Sequence, residues 1–194
     1  MEELARTNIP TQYGSFKMIA YDSGFIDFPH ILLVSENFNP NETPFVRIHS
    51  ECMTGDLFGS NRCECGEQLE VSKKMISEHG GLILYLRQEG RGIGLIHKMK
   101  AYNLQDKGLN TVEANLELGL HEDARDFTIA IEILNVNQIK KIKLLTNNPK
   151  KIDAFIDSGI EIEDRISIEI KAQPENKGYL KTKKEEMGHM LNHI

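Results

Sequence analysis

The chemistry in this sequence is concentrated in its three cysteines. Cys52, Cys63 and Cys65 are all the chain has, and they fall as C-x10-C-x-C. An odd number so closely spaced makes a poor disulfide framework, and a single residue between Cys63 and Cys65 strains a mutual bridge. Thiolates at this spacing suit zinc, which takes four tetrahedral ligands. Three thiolates leave one position over. Water placed there is acidified by the metal and becomes a nucleophile near neutral pH. A fourth side chain placed there makes the metal structural, and His49, three residues before Cys52, supplies one in H-x2-C-x10-C-x-C. Spacing alone leaves both readings open, together with a cluster that binds no metal. The triplet His49-Ser50-Glu51 also reads as the H-x-E of zinc deaminases, but the P-C-x-x-C that should follow is missing.

Two loops have the composition to hold phosphate. Arg87–Gly94 reads RQEGRGIG, between a strand-like GLILYL and a helix-like run, and Arg91, Lys98 and Lys100 add local positive charge. Glycines let backbone N–H groups approach an anion, and a helix start favours negative charge. It is neither a P-loop, since no GK[ST] closes it, nor a dinucleotide fingerprint. The second loop is Thr146–Lys151, TNNPKK, in which Asn148 caps a helix and Pro149 opens it. The plain alternatives are a flexible turn with solvated arginines and a well-capped helix with exposed lysines. A third polar cluster, GLHEDARD at 119–126, reads either as capping, with Asp126 as N-cap, or as a base and an anion stabiliser in Asp123 and Arg125.

The elements that must carry these loops show in hydrophobic periodicity. Strand-like runs cover 16–20, 31–34, 45–48, 82–86 and 142–145, and Ile160, Ile162, Ile166, Ile168 and Ile170 suggest a half-exposed strand broken near Asp164-Arg165. Helix-like runs cover 68–79, 93–107, 127–134, 150–158 and 183–191, the last with a T-x-x-E capping box at Thr182 and Glu185. Tyr102 shares a helical face with Leu95 and Met99, so a core role competes with a catalytic one; Met75 and Met99 read as core. Strands and helices mix without strict alternation. The expected fold class is α/β (α+β): one domain over 1–194, with a mixed β-sheet flanked by helices.

Composition narrows the function. The chain has 194 residues, 40% hydrophobic and 27% charged, and a net charge of 23 − 29 = −6. That balance disfavours a general nucleic-acid binder, which needs a broad basic surface. No apolar run approaches a membrane span, and the N-terminus lacks the look of a secretory signal, so a cytoplasmic location is the default expectation.

Taken together, RIHSECMTGDLFGSNRCECGEQLE (47–70), YLRQEGRGIGLIHKMKAYNLQD (85–106), TVEANLELGLHEDARDFTIA (111–130) and LLTNNPKKID (144–153) resemble the GTP cyclohydrolase II family, as does the tail KTKKEEMGHML. The resemblance implies hydrolysis of GTP to formate, diphosphate and 2,5-diamino-6-ribosylamino-4(3H)-pyrimidinone 5′-phosphate, the opening step of riboflavin synthesis. It implies one zinc per subunit on Cys52, Cys63 and Cys65, Mg²⁺ with the triphosphate, and a homodimer. Its GTP-contacting positions match Arg47, Ile48, His49, Ser50, Glu51, Gln68, Glu89, Gly90, Arg91, Thr111, Thr146 and Lys151. Its catalytic positions match Tyr102, Asp123 and Arg125, the last either as a nucleophile at phosphorus or as a charge stabiliser. Glu64 stands where Asp is common in the family, with no change of chemistry implied. The competing readings are another zinc-dependent nucleotide hydrolase or deaminase, and a nucleotide-sensing module with a structural zinc.

Overall fold

Alternating apolar residues make the strands, and the two alternating sets face different partners. The computed structural model describes residues 1–192, so the last two positions of the expected 1–194 domain lie outside the described residues. The strands are β1 (Glu3–Thr11), β2 (Gly14–Tyr21), β3 (His30–Ser35), β4 (Phe45–Ser50), β5 (Gly81–Leu86), β6 (Lys141–Leu145) and β7 (Glu161–Ile166). The helices are α1 (Met53–Asp56), α2 (Cys65–His79), α3 (Leu95–Gln105), α4 (Thr111–Glu117), α5 (Thr128–Val136), α6 (Pro149–Asp153) and α7 (Lys177–Glu185). The strands form one sheet in the order β1-β2-β3-β5-β4-β6-β7. β1, β2, β3 and β5 pair antiparallel in turn, whereas β4, β6 and β7 run parallel, so the sheet is mixed as expected.

The chain forms two compact units, each assembled from three stretches. The sheet unit comprises Met1–His49, Leu69–Arg87 and Phe127–Ile168; the second comprises Ser50–Gln68, Gln88–Asp126 and the chain from Glu169 onward. In the sheet unit, Ile19, Leu32, Leu84, Val46, Ile48, Ile142 and Leu144 share a cluster with Ala130, Ile131, Ile133 and Leu134 of α5. The opposite set, Phe16, Leu33 and Ile83, packs with Leu69 and Ile76 of α2. Register agrees: Ile19 pairs with Leu32 and Leu32 with Leu84, whereas Leu33 pairs with Ile83. A slip of one residue would exchange the two faces.

His30, at the start of β3, is buried, and its Nδ1 accepts the backbone N–H of Arg87 at 3.1 Å. Burial, and then the Arg87 charge, hold its pKa below the usual value, with Asp22 opposing. As the pH falls below about 6.5 the unfolded chain takes this proton first, so stability declines with acidification. The melting temperature is therefore expected to drop between pH 7 and pH 5. His30→Asn, which keeps an acceptor but does not titrate, should flatten that decline; an unchanged slope would refute the assignment.

In the second unit α3 packs on α4 and α4 on α7. Ala101, Ala114, Leu180, Met187 and Leu191 are buried there. Several helical expectations shift. The run expected over 93–107 starts as a helix at Leu95, because Gly90, Arg91, Gly92 and Gly94 all have positive φ. The helix expected over 150–158 ends at Asp153, and Asp157 and Gly159 close it in left-handed turns. The helix expected over 183–191 lies at Lys177–Glu185. Thr182 is inside it, with its hydroxyl on the Gly178 carbonyl, so the T-x-x-E pattern is no cap. Asp126 is not the N-cap of α5; Phe127 holds that position. Met99 is 53% exposed rather than core, and the buried residues of α3 are Lys98 and Ala101.

Candidate functional site

Two helix starts bring the cysteines together. Cys52 is the N-cap of α1, and Cys65 is the first residue of α2. The turn closes tightly because both sides lack a side chain: a Cβ on Gly66 would lie 2.3 Å from the Gly55 carbonyl oxygen. One on Gly55 would press against the Cys63 and Cys52 sulfurs. The three Sγ atoms all lie within 4.8 Å of one another, with Cys52 and Cys63 separated by 3.6 Å. Tetrahedral zinc with Zn–S bonds of about 2.3 Å spaces its sulfurs about 3.8 Å apart, so the donors fit in kind and in spacing. Among the described residues the metal-holding group is these cysteines alone. His49, the alternative fourth ligand, stacks its ring on Tyr85 at 5.5 Å.

Charge in the cluster is uneven. Hydrogen bonds from Cys63 and Cys65, with Lys98 adding, hold Cys52 well below the ordinary thiol range. The same sharing pushes Cys63 up to about 12 and raises Cys65 as well. A divalent cation displaces the protons that remain.

Lys98, which reads in the sequence as positive charge beside the glycine-rich loop, is buried on α3. Its Nζ lies 3.1 Å from Cys52 Sγ and 2.8 Å from Glu89 Oε1. Glu89 Oε2 accepts the Met53 N–H at 2.6 Å, and Oε1 accepts the Gly90 N–H at 2.7 Å. Both oxygens thus brace the RQEGRGIG loop against the turn that carries Cys52. Lys98→Met is expected to weaken zinc binding by about 10–100-fold in competition with a chelator, the usual cost of losing a ligand's outer partner. Wild-type affinity would remove Lys98 from this role.

Gly90 and Arg91 both adopt left-handed φ, 62° and 61°, and for a non-glycine such strain persists only where the surroundings enforce it. The enforcing contacts are visible. The Arg91 carbonyl accepts the Ala124 N–H at 3.0 Å, and a side chain on Gly92 would meet the Ala124 carbonyl at 2.9 Å. Both terminal nitrogens of Arg91 are buried without a hydrogen-bond partner among the described residues.

Tyr102 lies near the same cluster. The Arg62 guanidinium sits 4.9 Å from its ring centroid and Lys98 Nζ 5.7 Å. Burial pushes its hydroxyl up to about 12, so it carries its proton at neutral pH. Residues 121–126 are loop rather than helix, which lets side chains two apart meet. Arg125 Nε and Nη2 donate to the two Asp123 oxygens at 2.8 and 2.7 Å, with the pair's side chains 11% and 2% exposed. Gln68 is buried with its amide 3.4 Å from Glu64, and Thr111 opens α4 behind the N-cap Asn110. That helix was missed in the sequence, although Asn110 and Glu113 form a capping box of N-x-x-E type.

The sheet unit gathers its own set at the carboxyl ends of the parallel strands β4 and β6, where ligands of parallel sheets bind. Arg47 is buried and donates to the Leu145 carbonyl at 3.1 Å. Lys151 donates to the Ile48 carbonyl at 2.7 Å and is only 5% exposed, which disposes of the plain alternative of an exposed side chain at this position. Thr146 accepts the Asn148 N–H, and Asn148 caps α6 as expected. Asn147, one of the residues that could ring an anion at this helix start, ties the loop to Ile168 in both directions.

The fold and the cysteine trio define an α/β protein with a cluster that could hold a metal ion, at a spacing compatible with zinc. The GTP cyclohydrolase II sequence model matches residues 2–167. A GTP cyclohydrolase-2 of Buchnera aphidicola from Acyrthosiphon pisum is 47% identical over 99% of this chain and 100% of its own length. Another, from the Schizaphis graminum strain, is 50% identical over 97% of both. The riboflavin biosynthesis protein RibBA of Staphylococcus epidermidis RP62A is 49% identical over 96% of this chain, which spans only 47% of that protein. The chain belongs to the GTP cyclohydrolase II family. No helix of the described residues is long and apolar enough to cross a membrane.

Proposed function

We propose that this protein hydrolyses GTP to 2,5-diamino-6-ribosylamino-4(3H)-pyrimidinone 5′-phosphate, formate and diphosphate, as the first step of riboflavin biosynthesis. The reading includes a cytoplasmic homodimer, one catalytic domain per chain, one zinc on Cys52, Cys63 and Cys65 of each subunit, and Mg²⁺ accompanying the triphosphate. The observation that carries it is the trio of sulfurs at zinc spacing beside a buried lysine, in a chain of this family. The nucleotide contacts are those the family resemblance implies.

The products require three hydrolytic cleavages, each consuming one water: two C–N bonds to C8 of the guanine and one P–O bond between the α and β phosphates. Zinc, when bound, supplies Lewis acidity toward the carbon that leaves as formate. The chain's own groups do the rest. Tyr102 offers its hydroxyl proton to the ring nitrogen released when the imidazole opens. Asp123 fixes the plane of Arg125 by a two-point grip. Arg125 and Arg91 offset the charge that grows as diphosphate departs. Lys98 and Glu89 hold the two loops in register and touch neither reacting centre.

The test is incubation of zinc-loaded protein with GTP and Mg²⁺ and quantification of every product. Formate, diphosphate and pyrimidinone in equal amounts are expected. Ammonia without formate would replace this reading by a deaminase. Chelation of zinc is expected to stop turnover with helical content retained and zinc to restore it. Unfolding on chelation, with no turnover at any metal loading, would make the metal structural.

A further inference from the structure

The match to the family model ends at residue 167, yet α7, which begins at Lys177, sends side chains to the cysteine loop. We propose that Tyr179 and Lys183 of α7 are positioning residues for the metal and nucleotide loops, Lys183 acting through Glu64 and Tyr179 through Arg91. The part concerning Arg91 rests on the proposed function; the part concerning the metal does not.

Glu64 lies between Cys63 and Cys65 and is 2% exposed. Lys183 Nζ donates to its Oε1, while Oε2 is buried with no hydrogen-bond partner among the described residues. A buried carboxylate flanked by two metal-binding sulfurs needs a counter-ion, and Lys183 is in contact with it. Without that cation the carboxylate is driven toward water, and the backbone that orients both sulfurs moves with it.

The second contact uses the ring of Tyr179. The Arg91 guanidinium lies 5.5 Å from its centroid, and Lys183 Nζ lies 5.3 Å from it. One aromatic ring is thus in cation–π range of two cations, each attracted by its quadrupole. The ring contact supports Arg91 without occupying either of its two terminal nitrogens. Its two buried, unpartnered terminal nitrogens stay available to an anionic ligand group. A hydrogen-bonding support would have consumed the donors it was meant to position.

The experiment uses the full chain. Zinc affinity is measured by competition with a chromophoric chelator for wild type, Lys183→Met, Lys183→Arg and the double variant Glu64→Gln/Lys183→Met. Lys183→Met is expected to weaken zinc binding by about tenfold or more. Lys183→Arg restores it, and the double variant loses less than Lys183→Met because no buried charge is left alone. Should Lys183→Met not fold, the arginine and double variants carry the same comparison: wild-type-like zinc binding in both supports the pair, and a double variant as weak as a cysteine variant overturns it. Equal zinc affinity in Lys183→Met and wild type also overturns it. Separately, Tyr179→Leu is expected to raise KM for GTP by about 3–30-fold with little change in kcat, while Tyr179→Phe, which keeps the ring, stays near wild type. An unchanged KM in Tyr179→Leu, or an equal loss in Tyr179→Phe, refutes the ring's role. If wild type releases no formate from GTP, the proposed function fails, while the zinc measurements still decide on Lys183.

Discussion

Cys65→Ser is expected to abolish zinc retention and to cut formate release from GTP by at least about 10³-fold, while the helix it begins stays folded. Cys65 is the first residue of α2, a position where serine is well tolerated, and the exchange conserves shape. The loss therefore reports on the sulfur and not on the fold. With Cys65 gone, Cys52 and Cys63 remain 3.6 Å apart, but two thiolates hold zinc poorly against solvent. Nucleotide affinity should survive, since the proposed nucleotide contacts lie on other residues. Metal analysis, circular dichroism and formate quantification on the same preparation check each part. Stoichiometric zinc in the variant would show that the trio is not the binding site. Zinc loss with undiminished formate would remove the metal from the reaction.

The second large effect concerns Asp123 and Arg125. Asp123→Asn is expected to lower kcat by about 10²–10³-fold with KM nearly unchanged, because an amide cannot hold the guanidinium at both corners. Arg125→Ala should inactivate as strongly and also destabilise. It strips two charge-assisted hydrogen bonds from a carboxylate whose side chain is 2% exposed, at a cost of about 3–5 kcal/mol. Removing both partners in Asp123→Ala/Arg125→Ala should recover most of that stability with no recovery of activity. A guanidinium ordinarily keeps its proton, so charge neutralisation is the role proposed for Arg125. Mass spectrometry of rapidly quenched reactions decides it: a nucleotide adduct on Arg125 would show covalent attack instead. Normal kcat in Asp123→Asn would dismiss the pair from the chemistry.

Most of the sheet was legible because its residues alternate. The strands read at 16–20, 31–34, 45–48, 82–86 and 142–145 were each found within a few residues. β1 was not, because ELARTNIPT lies almost wholly exposed and shows no apolar alternation to read. The long isoleucine run yielded only Glu161–Ile166, with a register irregularity opposite Ile142/Lys143. Helix ends went astray where positive φ at Gly94, or a back-bonded threonine at Thr182, overrode local propensity. The cysteine cluster was legible because its spacing is local. Lys98, Tyr179 and Lys183 were not, since their partners lie 46, 88 and 119 residues away along the chain. The Lys181–Glu186 run reads as a solvated helix face and Lys98 as charge beside a phosphate loop, and only tertiary structure brings Lys183 to Glu64 and Lys98 to Glu89 and Cys52.

Each compact unit is pieced together from three separated stretches of chain. During synthesis β4 emerges nearly a hundred residues before β6, the parallel neighbour that completes its pairing. Until then one side of β4 offers unsatisfied backbone groups and apolar side chains to whatever is nearby. The nascent polypeptide should therefore depend on holding factors until β6 has emerged, and fragments ending before residue 141 should aggregate instead of forming half a protein.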